Sequence, residues 1–305
     1  MSANSGSEVS VISLEKLSKF YGETVGIQDI SFSVAPGEVL GFLGPNGAGK
    51  TTAMRVLVGL IHATSGSASV LGQNALKFDS SLRANIGYLP GSLELYRQMT
   101  GKEFLNFLSQ MRQRNCVNQI NNLAERLSVD LSKKLSDLSK GNRQKIGVVQ
   151  AFMHDPKVLI LDEPTSGLDP LVQREFETIL NESRERGAGV LLSSHVLSEV
   201  EHLADRVAVL DKGKLLAVER ISDLKSRATR TLDFTFEQPV NVRVFAAIPE
   251  VKHVSARDGR VTCEVVGKET ELLKVAVEYG VVNVRSREVS LNDVFIALVE
   301  NGASV

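Results

Sequence analysis

The chain has no tryptophan, two cysteines and eight prolines among 305 residues, and its formal charge is -1. Each shortage excludes something. Cys116 and Cys263 stand far apart in the sequence. A disulfide framework is thereby excluded, and both thiols are expected to pack as small apolar groups in a reducing compartment. The near-zero charge removes the electrostatic footprint of a nucleic-acid-binding chain. No uninterrupted apolar run approaches the roughly 20 residues that a membrane-spanning helix needs. Residues 1–8 are polar and lack the apolar stretch of a signal peptide. There is no internal repeat and no low-complexity segment. The remainder is ordinary for a soluble protein, 43% apolar and 23% charged. At this length two domains can each bury a core.

The most informative run is Gly44-Pro45-Asn46-Gly47-Ala48-Gly49-Lys50-Thr51-Thr52. It fits the phosphate-loop spacing, four residues between Gly44 and Gly49 and then Lys-Thr. An apolar strand, Val39–Leu43, precedes it, and a helix over Lys50–Leu60 follows. In that setting successive backbone N–H groups converge on one point, and the helix N-terminus adds its positive end. Lys50 would bring a full charge to the outer phosphates, and the Thr51 hydroxyl would ligate Mg²⁺. The glycines let the backbone close on the phosphates. The run therefore implies a site for a nucleoside triphosphate.

The surrounding pattern is α/β. Residues 9–35 alternate as strands do, with Tyr21-Gly22 as a turn. Ser65-Gly66-Ser67 leads into a short strand ending at Leu71, and Ile86–Leu89 reads as another strand. From Thr100 to about Ala151 the apolar spacing is helical, a helical insert. The basic residues that crowd it from Arg112 to Lys145 read as a solvated face. From Lys157 the chain enters a strand to Leu161 whose run Val158–Leu161 is fully apolar, of the kind buried in a parallel sheet. Helix Leu171–Arg186, strand Gly189–Ser193, a helix to about Leu203, strand Val207–Leu210 and a hairpin at residues 211–214 follow. After about Ser226 strands Leu232–Phe236 and Val261–Val265 and helices Glu269–Tyr279 and Leu291–Val299 suggest a separate small α+β domain.

The apolar strand ends in Asp162-Glu163, a pair of carboxylates where open α/β sheets place ligands. Asp162 can reach Mg²⁺, and Glu163 can polarise a water for in-line attack on the terminal phosphorus. His195 follows the next strand and suits a contact to the γ-phosphate. His62, His154, His202 and His253 have no motif around them and read as structural or exposed.

With these motifs in order, residues 9–220 resemble the ATP-binding cassette (ABC) ATPases. Leu138-Ser139-Lys140-Gly141-Asn142-Arg143-Gln144 is similar to the family signature, Asp162–Asp169 to the catalytic glutamate and the loop after it, and Ser194-His195 to the switch histidine. The resemblance implies a P-loop NTPase cassette: a parallel-sheet core, an antiparallel β subdomain and a helical insert (about 100–151) within residues 9–226. A polar tail (1–8) precedes it and a C-terminal α+β accessory domain (227–305) follows. It implies Glu163 and His195 as catalytic, Tyr21 as the ring stacked on adenine, and Gly44 to Thr52 with Ser139 and Gly141 as the ATP contacts. It further implies Thr51 and Asp162 as Mg²⁺ ligands. Two such chains would face head to tail around two ATP molecules.

Ile86–Pro90, Leu95–Thr100 and the C-terminal appendix look most like the subunits of ABC-2-type exporters. A separate integral membrane permease would then dock near residues 87–105, with the chain cytoplasmic at the inner face of the cell membrane. A soluble ABC ATPase of translation or DNA repair is the alternative. The single cassette, the neutral charge and the absence of a coiled-coil insert or basic tail weigh against nucleic acid. A third reading gives the tail domain a dimerising or regulatory role. The chain departs from the family at Lys140 and Asn142 in the signature. It departs also at Gly91, where a glutamine or glutamate is common. Water, Ser92 or Glu94 is expected to fill that place.

Overall fold

The computed structural model describes residues 10–287, except 78, 79, 94, 95, 97, 228, 229, 239 and 258. The tail 1–8, Glu94, Leu95 and the expected helix at 291–299 lie outside the described residues. The chain divides after Val218 into two compact units, upstream of the change in character read at Ser226.

The first unit opens with strands β1 (Ile12–Tyr21), β2 (Thr24–Val34) and β3 (Val39–Leu43), then helix α1 (Lys50–Leu57). Strands β4 (Ser65–Val70) and β5 (Gln73–Asn74), helix α2 (Ser80–Arg83) and β6 (Ile86–Leu89) follow. Helices α3 (Gly101–Met111), α4 (Val117–Arg126) and α5 (Lys140–Phe152) precede β7 (Val158–Asp162) and α6 (Pro170–Glu185). Then come β8 (Gly189–Ser194), α7 (Leu197–Leu203), β9 (Arg206–Asp211) and β10 (Lys214–Arg220).

Two sheets result. β2-β1-β4-β5 is antiparallel, and β10-β9-β3-β8-β7-β6 has a parallel centre. Every residue of β3, β7 and β8 is buried, which is why these segments read as unbroken apolar runs. The core joins both sheets through Ile12, Leu17, Ile30, Phe42, Met54 and Ile160.

Several boundaries differ from the sequence reading. Ser65, Gly66 and Ser67 belong to β4, with Ser65 opposite Ser18 and Ser67 opposite Glu15. Polarity hid the start of this strand. α1 stops at Leu57, and Gly59 with φ +69° turns the chain away. The helical insert is broken where Gln113 and Ser128 adopt left-handed backbone, φ +53° and +52°. Its basic residues are also not all solvated. Arg126 pairs with Glu175 at 2.6 Å and with both oxygens of Glu182 at 2.8 Å, tying α4 to α6, and Lys145 is buried.

The second unit holds α8 (Ile221–Arg227), β11 (Arg230–Phe236), α9 (Arg243–Ala246), β12 (Val251–Arg257), β13 (Arg260–Val265), α10 (Thr270–Glu278) and β14 (Val281–Arg287). Its antiparallel sheet runs β12-β13-β11-β14. Leu232, Phe234, Phe245 and Cys263 form its core with Leu272 and Ala276 of α10. Burial pushes the Cys263 thiol up to about 11, so it behaves as a small hydrophobe. β12 and β14 were not anticipated, because as edge strands they are largely exposed and carry no clean alternation. Cys116 is buried as well.

Candidate functional site

Three adjacent parallel strands deliver the site. β3, β8 and β7 lie in register, with Leu43 opposite Ser194 and Ser193 opposite Asp162. Their carboxyl ends meet where open α/β sheets bind ligands. The glycine-rich loop leaves β3, His195 leaves β8, and Asp162 ends β7 with Glu163 next after it.

The loop's shape is imposed by close approach. Gly49 has φ +106°, and a Cβ there would lie 2.4 Å from the Gly26 carbonyl oxygen. At Gly44 a Cβ would lie 2.4 Å from the Leu210 carbonyl oxygen. Gly47, at φ +83°, has open space beside it, so the tip of the loop is free to receive a ligand. Lys50 is buried, and its Nζ donates to the carbonyls of Gly44 at 2.6 Å and Pro45 at 3.2 Å. Burial lowers its pKa, and the negative charges of Glu163 and Asp162 oppose that fall.

The carboxylates are held from several directions. Thr51 Oγ1 donates to Asp162 Oδ2 at 2.7 Å, and Ser193 Oγ donates to Oδ1 at 2.6 Å. Glu163 adopts φ +52°, a left-handed conformation that costs about 1–2 kcal/mol outside glycine. Its N–H donates to Ser193 Oγ at 3.1 Å and to the Ser193 carbonyl at 3.2 Å. Gln144, at the end of the signature run, donates to the carbonyls of Glu163 (3.1 Å) and Pro164 (3.0 Å). His195 Nδ1 lies 2.6 Å from Glu163 Oε2. An ionised carboxylate can only accept, so this nitrogen carries the proton.

Beside these groups lies a cavity of about 380 Å³, lined by residues 46–52 with Gly26, Arg55, Gly91, Ser92, Asp162 and Glu163; His195 touches Glu163 but is not part of this lining. Gly44 and Pro45 contribute carbonyls to Lys50 from outside it. Sequence reasoning missed Gly26 and Arg55. Gly26 carries no motif, yet a Cβ there would lie 3.0 Å from the Tyr21 ring and 3.2 Å from Thr52. Arg55 stands one helical turn beyond Thr51, a spacing that could have flagged it. Its guanidinium also bonds Tyr88, whose hydroxyl pKa is raised by burial and by the charge of Asp162.

Tyr21 does not line the cavity. It is 48% exposed at the rim beside Gly26, with the Lys19 ammonium 5.1 Å from its ring centroid. Ser139 and Gly141 also stand outside. Ser139 is exposed and caps α5, its Oγ accepting from Asn142 N at 3.2 Å. Gly141 lets α5 approach the turn after β7, since a Cβ would lie 2.6 Å from the Gly167 carbonyl. Gly91 takes the place beside Asp162, where a Cβ would lie 3.0 Å from Oδ2.

A glycine loop with a buried lysine, facing two carboxylates from the next-but-one strand, defines a P-loop nucleotide-binding protein. Comparison with known proteins sharpens this. A family model described as ABC transporter matches residues 27–166. The uncharacterized ABC transporter ATP-binding protein YhcH of Bacillus subtilis is 40% identical over 233 residues, 75% of this chain and 76% of that protein. The bacitracin transport ATP-binding protein BcrA of Bacillus licheniformis is 32% identical over 305 residues, 96% of this chain and 98% of that protein. A solved structure of the ATP-binding subunit of an ABC transporter matches with a TM-score of 0.68 at 29% identity, over 71% of this chain and 92% of that one. The chain belongs to the ABC transporter family as an ATP-binding subunit, an ABC ATPase.

Proposed function

We propose that this chain hydrolyses ATP to drive a separate membrane permease, of the export type, from the cytoplasmic face. One observation carries the reading: Lys50, Asp162 and Glu163 border a single cavity at the carboxyl ends of β3 and β7. The near full-length likeness to a bacitracin transport ATP-binding protein supports export. Among the described residues no helix is long and apolar enough to cross a membrane, which fits a division of labour between two chains.

The residues present suit a triphosphate and Mg²⁺. The loop tip at Gly47 is open, and Lys50 is a desolvated cation that donates to two neutral carbonyls and feels the charges of Glu163 and Asp162. In our reading the ammonium exchanges those carbonyls for the outer phosphates, a charge-assisted and therefore stronger pairing. Among the described residues no cluster of His, Cys, Asp and Glu forms a metal cage. Mg²⁺ typically takes one or two protein ligands and completes its shell with phosphate and water. Thr51 Oγ1 and Asp162 would hold it, and it would shield the phosphate charge. Glu163 orients water, takes its proton, and is itself held by His195. The new bond joins water oxygen to the terminal phosphorus as the bond to the ADP oxygen breaks. Tyr21 at the rim would meet adenine.

Ser139 and Gly141 stand at the exposed N-terminus of α5, outside their own cavity. We assign them to the ATP of a second copy, head to tail, where the helix N-terminus meets phosphate. The first test is Glu163→Gln. Turnover is expected to fall by at least about 100-fold with nucleotide binding retained, read by phosphate release beside equilibrium binding of Mg-ATP. Undiminished turnover would remove Glu163 as the base. Copurification with a polytopic membrane protein tests the partner.

A further inference from the structure

Two consecutive serines end β8, and their side chains leave the strand on opposite sides. Ser193 is fully buried and joins Asp162 Oδ1 to the Glu163 N–H. Ser194, also buried, donates to Glu199 Oε2 at 2.8 Å and accepts from Val196 N at 2.9 Å. The same Glu199 oxygen accepts from Thr165 Oγ1 at 2.7 Å. Glu199 lies in the first turn of α7, and Thr165 lies in the turn after Glu163. The segments carrying Glu163 and His195 are therefore joined twice besides the contact between those two side chains.

One carboxylate oxygen accepting two hydroxyls makes charge-assisted bonds, stronger than neutral ones. Thr165 and Ser194 are both buried, so breaking the bridge takes the acceptor from two desolvated hydroxyl protons, Ser194 Oγ keeping only the Val196 N–H. Glu163 needs such support, because a left-handed backbone outside glycine persists only where its surroundings over-determine it. Neither Glu199 nor Thr165 lines the cavity. Their effect must pass through Glu163 and His195 rather than through contact with nucleotide.

We infer that Glu199, bridging Thr165 and Ser194, is a positioning residue that fixes the Glu163 carboxylate against His195 for hydrolysis. The inference rests on the proposed hydrolytic role of Glu163. Nucleotide is gripped by the loop between β3 and α1, which the bridge does not touch, so binding and turnover separate when the bridge is lost.

The test compares Glu199→Ala, Glu199→Gln and Thr165→Val in the full chain. The readouts are kcat and KM for Mg-ATP, direct nucleotide binding, and the thermal midpoint. Glu199→Ala and Thr165→Val are expected to lower kcat about tenfold with KM and binding unchanged. Glu199→Gln retains an acceptor oxygen and should stay within about threefold of the parent. The double variant Thr165→Val with Glu199→Ala should be no slower than Glu199→Ala alone, because both remove one bridge. Thr165→Val is nearly isosteric and carries the test should Glu199→Ala fold poorly. Parental kcat in these variants overturns the inference. A matched loss of binding and turnover also overturns it, since the bridge is then only a strut of the fold. Absence of Mg-dependent turnover in the unsubstituted chain is a separate failure, that of the hydrolytic reading itself.

Discussion

At the scale of single residues, the site is decided by where side chains are forbidden as much as by where they act. Gly91 illustrates this. A Cβ there would lie 3.0 Å from Asp162 Oδ2 and 3.2 Å from Cγ, so the carboxylate would have to yield. Gly91→Ala is expected to weaken the apparent Mg²⁺ affinity of hydrolysis by about two- to tenfold, an overpacking effect, measured by titrating Mg²⁺ at fixed ATP. An unchanged titration would mean that Asp162 has room to move. Gly44 to Thr52 and Asp162-Glu163 were legible in the sequence because their chemistry is written in contiguous residues. Ser193, Glu199 and Gly26 carry no local signature, and Arg55 is marked only by its one-turn spacing from Thr51. Their importance arises from contacts across the fold, as when Ser193 reaches Asp162 from the neighbouring strand. Tyr21 and Ser139 were singled out by pattern, yet neither lines the cavity of its own chain.

At the scale of elements, the fully apolar strands announced themselves, whereas the polar start of β4 and the exposed β12 and β14 did not. Junctions between elements hold further surprises. His154, just beyond α5, is buried with Nε2 3.2 Å from the Ile86 carbonyl and with Nδ1 unpartnered. Burial and the nearby charges of Arg112 and Arg114 lower its pKa from 6.5 to about 4. Above pH 6.5 the ring is neutral in both states. As pH falls from 6.5 toward 4 the unfolded chain takes up a proton that the folded chain refuses. Stability is therefore lost across that window, by up to about 3 kcal/mol from this group. His154→Gln should flatten the dependence of the urea midpoint on pH between 6.5 and 4. An equally steep profile in the variant would assign acid sensitivity to other groups.

At the scale of the whole molecule, the proposed pairing of two chains separates cleanly from folding. Aspartate caps a helix as well as serine does, and its charge favours the helix N-terminus. Ser139→Asp should therefore leave α5 intact and keep nucleotide binding in the monomer. The same charge would repel a phosphate offered by a second copy. In a Glu163→Gln background, ATP-dependent dimers seen by size-exclusion chromatography with light scattering should disappear on adding Ser139→Asp. Dimers persisting at equal strength would exclude this helix end from the interface. The Lys50 ammonium has a last consequence for the choice of guest. It donates to the Gly44 and Pro45 carbonyls, so any group that claims it must offer a better acceptor than a neutral one. The loop thereby favours densely charged anions over weakly charged ones.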